Sequence, residues 1–314
     1  MITETGEDPF FIESTDTVST HGPNCIVRDV LQDKNGNLWF ATWKGIIMYD
    51  GRVFTNYTLK YGLIHFHVFA LFQDSKNKLW FSVARGGVYR FDGKSFQLFT
   101  MKNGLPDNTI TSFAEDKNGN IWFGTENGLG VFNGKTFSSF TTENGLFDNV
   151  ISSLLFDKSG VLWIGSAKCL CRYDGKTFSL FNDNEGMLFF RVASLFEDNS
   201  RNIWIGSSHP QAGGKGLCRY DGKSLTELVV PNFIMYLRQT KKGDFLMAFN
   251  NYPAKENFSM FRYNGKTLTE IYAETQPEIN PAIFGMIEDN NVNIWFGTAR
   301  GICCYNGKTF NYFQ

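Results

Sequence analysis

Residues 116–140 read DKNGNIWFGTENGLGVFNGKTFSSF. The stretch opens on a polar turn (residues 116–120) and runs into an apolar segment with Trp122, Gly124 and Thr125. A second segment ends on Phe132, an Asn133-Gly134 turn follows, and a third segment carries Phe137 and Phe140. This unit recurs, and a fixed period outranks any local reading of structure. The Asn/Asp-Gly-Lys/Arg turn begins at Asp50, Asp92, Asn133, Asp174, Asp221, Asn264 and Asn306, in steps of 42, 41, 41, 47, 43 and 42 residues. The tryptophan returns as Trp39, Trp80, Trp163, Trp204 and Trp295, and Leu246 fills the one vacant register. An aromatic precedes every turn, from Tyr49 to Tyr305, and a large apolar residue follows four and seven positions after each turn begins.

Each unit holds four short runs rich in β-branched and aromatic residues, bounded by Gly, Asn and Asp, which is the pattern of strands. No segment sustains a 3.6-residue apolar period, so helices should be nearly absent. Asp-Gly and Asn-Gly between such runs predict primed hairpin turns with two central residues at positive φ. Four strands per repeat of about 42 residues is the signature of a propeller blade. The expected fold is all-β, a seven-bladed β-propeller with four antiparallel strands per blade, over residues 25–314 as one domain. Residues 1–24 are expected to add to or overlap blade seven and help close the ring. Strand letters A to D run outward from the axis.

The tryptophans could form a binding belt, but recurrence in every blade reads better as a wedge between blades. Two residues on comes Ala41, Ser82, Gly124, Gly165, Gly206, Ala248 or Gly297. A small residue at that point implies close approach of a neighbour.

Net charge is −1, without the clustered positive charge of a nucleic-acid footprint. No apolar run approaches a membrane span, and the first residues show no signal-peptide pattern. The six cysteines are read as buried free thiols. Cys169 and Cys171 are taken to point to opposite faces of one strand, and there are only four histidines, so no metal site is expected. No cofactor is expected and no catalytic residue is assigned.

Length variation concentrates in the B–C and D–A connections, which share one face. Blade five carries SSHPQAGGKG at residues 207–216, blade six FNNYPAKENF at 249–258, and blade seven opens with YAETQPEINPA at 272–282. Irregular loops on a rigid scaffold are where binding tends to sit. The candidate ligand-binding residues at this channel mouth are Trp43, His65, His67, Arg85, Arg191, His209, Tyr236 and Arg300, with Arg28 deeper. Aromatic, imidazole and guanidinium groups together suit a polar, anionic or sugar-like molecule. Asn108 and Asn149, in Asp-Asn pairs, are expected to form turns instead.

The repeat D-x-x-G-N-[IL]-W-[FI]-G-T-x-x-G-L-x-x-[FY]-[DN]-G-K-x-F resembles the two-component regulator propeller repeat. Residues 33–51, 116–134 and 157–175 match it well, and the resemblance extends over 25–314. It weakens in blade six, where Thr240, Leu246 and Phe249 replace Asp, Trp and Thr, and at Asn77 and Arg201, which replace a turn glycine. The resemblance implies a sensor region of a bacterial hybrid histidine kinase, periplasmic or extracellular, of a kind that detects carbohydrate-derived signals. It carries no catalytic residues to transfer. The leading reading is therefore a non-enzymatic, sensory-type propeller that binds a small polar molecule, carbohydrates included, or a protein partner, with no nucleic acid and no membrane span. The alternative is a propeller enzyme, such as a lyase or glycan-active protein, using the same mouth. A third reading makes Phe66, Phe189, Phe190 and Phe233 a protein-binding patch.

Overall fold

The computed structural model describes residues 17–182, 189, 191–207, 216–228, 233–250, 258–272 and 283–313. These form seven antiparallel sheets, six of four strands and one of five, with strands A to D adjacent in chain order. In blade three they are Ile110–Glu115, Ile121–Thr125, Gly128–Phe132 and Phe137–Phe140. The inner strands touch in succession around the ring, and strand A of blade seven (Met286–Glu288) meets that of blade one (Val27–Gln32). The chain is the expected seven-bladed β-propeller. Helix among the described residues amounts to Tyr57–Lys60 and two 3-10 turns, Met101–Asn103 and Thr142–Asn144.

The tryptophans are wedges between blades. Trp39 of blade one packs on Phe81 and Phe91 of blade two, with ring centroids 5.7 and 5.9 Å away. Trp295 of blade seven packs on Phe40 and Tyr49 of blade one and seals the ring. A buried indole N–H needs an acceptor, and the turn aspartate six residues earlier supplies it. Trp39 Nε1 donates to Asp33 Oδ2 at 2.9 Å, and the same bond recurs from Trp80 to Asp74, Trp122 to Asp116, Trp163 to Asp157, Trp204 to Asp198 and Trp295 to Asp289. Blade six loses both partners together: Leu246 has no N–H to offer and Thr240 stands where the aspartate would be. The sequence shows these as two departures; in the structure they are one.

The small residue after each tryptophan is forced by packing. A Cβ on Gly124 would lie 2.3 Å from Ser112 Oγ and 2.7 Å from Ile151 Cγ2 of the next blade. On Gly297 it would lie 2.3 Å from the Val27 carbonyl oxygen across the closing seam.

Three expectations need correction or narrowing. The Asp-Gly turns are not primed two-residue turns. Tyr49 pairs with Phe54, leaving a four-residue loop in which Gly51 has φ +95° but no turn Asp or Asn has positive φ. Asp50 Oδ1 holds the loop by accepting from the Arg52 and Val53 N–H groups. Cys169 and Cys171 do not face opposite ways: residues two apart on a strand share a face, and their sulfurs lie 3.3 Å apart. All six cysteines are free, five of them buried and Cys25 half-buried. Most of the N-terminal segment lies outside the described residues. The part described includes a two-residue strand, Val18–Ser19, which pairs with the outer strand of blade one. Gly22 then passes against Phe313 of blade seven, where a Cβ would meet the Phe313 Cβ at 2.6 Å.

One recurring device was not read from the sequence. The last residue of strand A is Gln32, Gln73, Glu115, Glu197, Gln239 or Glu288 in six blades. Its side chain accepts a backbone N–H from the A–B turn of the preceding blade, as in Ser75 N–H to Glu115 Oε2 at 2.7 Å and Asn290 N–H to Gln32 Oε1 at 2.8 Å. The signal was present as Gln or Glu directly before the turn aspartate, or before Thr240 in blade six. Phe156, in blade four, is the exception.

Candidate functional site

Strand A begins at the B–C/D–A face with a bulge. In blade one the register shifts between Val27 and Asp29, leaving Arg28 as the extra residue, and the same shift occurs in blades two to six. Bulges re-aim side chains, and here they turn residues toward the axis. In blades three and four the bulge residue is a hydroxyl spent on the ring itself. Thr111 Oγ1 lies 2.7 Å from the Ile151 carbonyl oxygen and Ser152 Oγ lies 2.6 Å from that of Val192, each in the following blade.

Blades one and two differ. The Arg28 guanidinium carbon lies 4.4 Å from the Phe284 ring centroid, 5.3 Å from that of Phe69 and 6.0 Å from that of Trp43. Trp43 stacks on His67 with centroids 5.1 Å apart and planes 24° from parallel. Both are half-buried. Their backbones are fixed by one repeated bond: Trp43 N–H to the Ile26 carbonyl, and Ala84 N–H to the His67 carbonyl. Burial lowers the Arg28 pKa, with Tyr236 acting the other way.

Deeper in the channel, Asp29 joins three blades. Its Oδ1 accepts from Val30 N–H and from the Tyr236 hydroxyl of blade six at 3.2 Å, and its Oδ2 accepts from Leu71 N–H of blade two at 3.0 Å. Gly285 of blade seven makes the span possible, since a Cβ there would lie 2.6 Å from Asp29 Cα. Asp29 and Tyr236 keep some accessible surface although protein surrounds them, as groups lining a narrow channel do. Burial raises the Asp29 carboxyl above the usual range against the bonds from Leu71 and Val30 and the charge of Arg238. Burial also raises the Tyr236 phenol, and the Asp29 charge raises it further.

Of the candidates named from sequence, the structure brings Trp43 and His67 together with Arg28, and ties Tyr236 to Asp29. His65 sits over Gly86, with its ring 6.3 Å from that of Tyr89. Arg85, Arg191 and Arg300 are exposed residues on blades two, five and seven. Arg85 and Arg191 hold positive φ, at 51° and 46°, and Arg191 N–H bonds the Ala167 carbonyl of blade four. His209 lies outside the described residues, as do most of the blade-five and blade-six insertions and the connection into blade seven. Asn108 and Asn149 are the turn formers expected: their Oδ1 atoms accept from Met101 and Thr142 N–H at 2.9 Å. The aromatic patch is not as expected. Phe189 is buried against Phe181, Phe66 is half-buried, and the Phe190 and Phe233 side chains lie outside the described residues. Exposed apolar residues on this face are instead Ile64, Met101, Phe147 and Val150 of the D–A connections, with Phe69 in the channel mouth. Two described cavities lie elsewhere, one of about 150 Å³ beside Arg172 and Tyr220, the other of about 100 Å³ between the N-terminal segment and blade one.

The two component regulator propeller family matches residues 21–44, 104–127 and 145–168. No curated protein matches the chain. Solved structures similar to it include the extracellular domain of a hybrid two component system of B. thetaiotaomicron, at 22% identity and TM-score 0.76 over 93% of this chain and 41% of that one. A second such domain, described as that of a one component system of B. thetaiotaomicron, matches at 21% identity and TM-score 0.73 over 93% of this chain and 40% of that one. Virginiamycin B lyase from Staphylococcus aureus, solved with quinupristin, matches at 17% identity and TM-score 0.68 over 91% of this chain and 97% of the lyase. At these identities the likeness shows the fold alone, and the chain spans about two-fifths of the two extracellular domains. On its repeats and its closed ring the chain is a seven-bladed β-propeller, three of whose repeats match the two component regulator propeller model.

Proposed function

We propose that this propeller is a non-enzymatic sensory module that recognises a small polar molecule, with carbohydrates the leading class, at the B–C/D–A mouth of its channel. The observation that carries the reading is the Trp43–His67 stack beside Arg28. Aromatic faces with a cation beside them offer ring stacking and directional hydrogen bonds within one concave mouth. The other six tryptophans are consumed between blades, all six with the indole–aspartate bond. Trp43 alone stands at the face where the sequence concentrates its length variation. Arg85, Arg191, Arg300, His65 and His209 complete the proposed rim, and Tyr236 its floor.

A thermal-shift screen against mono- and oligosaccharides tests this. A ligand that binds only the folded state raises the melting temperature in proportion to its saturation. The reading expects at least one sugar to do so with the wild type and to lose the effect with Trp43→Ala and with His67→Ala. Folded variants at Trp43, His67 and Arg191 that keep the full shift would overturn it.

A further inference from the structure

We propose that Arg28 is an anion-recognising group, so that the molecule taken at the channel mouth carries an oxyanion, a carboxylate or sulfate on a ring. The inference rests on the mouth being the binding face and adds the chemical class of what is bound there.

Arg28 is a cation placed in an apolar setting, with no counter-ion among the described residues. Among the described residues its side chain makes no hydrogen bond and no ion pair, and its Nε is buried without a partner. Its surroundings are Phe69, the bulge residue of blade two, Phe284 at the matching position of blade seven, and Trp43. Rings of this kind hold a guanidinium by attraction to their faces while leaving its N–H edge unused. A buried donor left unpaired is costly, and the cost is greater for a charged group. The neighbouring carboxylate does not relieve it. Both Asp29 oxygens are already engaged by Leu71, Val30 and Tyr236.

The comparison with other blades sharpens the point. Thr111 and Ser152 spend their polar atoms on the next blade's backbone, so they are part of the ring's construction. Arg28 occupies the same register and contributes no such bond. The planar guanidinium presents a fork of N–H donors that matches the two oxygens of a carboxylate or sulfate, and its Nη groups, which make no bond among the described residues, are the ones that would meet it. The ring of the same molecule would then lie toward the Trp43–His67 pair, whose indole centroid is 6.0 Å from the guanidinium carbon.

Calorimetric titrations with paired probes decide the matter. Glucuronate and glucose differ by a carboxylate, and benzoate and benzyl alcohol differ in the same way without the sugar. The wild type should bind the acid of at least one pair about tenfold more tightly than its neutral twin, the scale of one charge-assisted bond. Arg28→Gln should erase that preference, and Arg28→Lys should retain part of it because a point charge remains without the fork. Melting temperatures of both variants establish that they are folded. Equal binding of acid and neutral twin, no binding of any acid, or an acid preference that survives in folded Arg28→Gln would overturn the assignment. Loss of neutral-sugar binding in Trp43→Ala alongside equal binding of the twins would sink the anion assignment while leaving the binding face standing.

Discussion

Asp29 shows how one side chain serves the ring at a cost in ionisation. Its folded pKa is raised by burial above the unfolded value, so its linked contribution to stability is fully present at low pH and is lost as pH rises through the folded value. Wild-type stability relative to Asp29→Asn should therefore increase as pH falls from neutral into the carboxylate range. Chemical denaturation at a series of pH values measures this, and a pH-independent or decreasing difference would contradict it. The Asp–Trp pair makes a second residue-scale case. Trp163→Leu should cost about 3 kcal/mol in lost packing and strand Asp157 Oδ2. Adding Asp157→Thr should then cost at least about 1 kcal/mol less than it does in the wild type, because the two residues share one bond. Blade six, with Thr240 and Leu246, carries this double replacement already. Additive effects in the double-mutant cycle would refute the coupling.

At the scale of the element, the A–B turn has one position that demands positive φ. Gly36, Gly119, Gly160 and Gly243 fill it in four blades, and Asn77, Arg201 and Val292 fill it in the rest at 62°, 71° and 69°. Asparagine tolerates this region, whereas a β-branched side chain does not. Val292 is exposed and has little packing to set against the strain. Val292→Gly should raise unfolding free energy by about 0.5–1 kcal/mol, the left-handed penalty less the extra chain entropy of glycine; equilibrium denaturation reads it, and a loss of stability would count against the argument. Elements of this kind were largely legible in the sequence. Strand type, the tryptophan wedge and the small residue behind it all followed from a recurring register. The turn geometry did not, because Asp-Gly is compatible with both a two-residue primed turn and the four-residue loop that Asp50 closes with its own carboxylate. The strand-end Gln/Glu bonds between blades also went unread, since the exposed polar residue before a turn looks like ordinary solvated surface.

For the whole molecule, a closed ring makes its two faces unequal. On the A–B side, backbone N–H groups and strand-end carboxylates or amides stitch successive blades together. On the B–C/D–A side, Arg28, Trp43 and His67 converge. The blade count was legible because it is a property of the period. The site was legible only in part. Trp43 and His67 were both placed at the mouth from their positions in the repeat, but their mutual stacking, and the position of Arg28 between Phe284 and Phe69, depend on blades meeting in space. The five-stranded edge of blade one has the same origin: Val18 and Ser19 pair with Thr55 and Phe54, a contact that no repeat encodes. The assignment of the binding face is tested directly by hydrogen exchange read by mass spectrometry, with and without a sugar that raises the melting temperature. It predicts added protection in the B–C and D–A connections of blades one and two and none in the A–B turns; protection confined to the A–B turns or to the outer strands would contradict it.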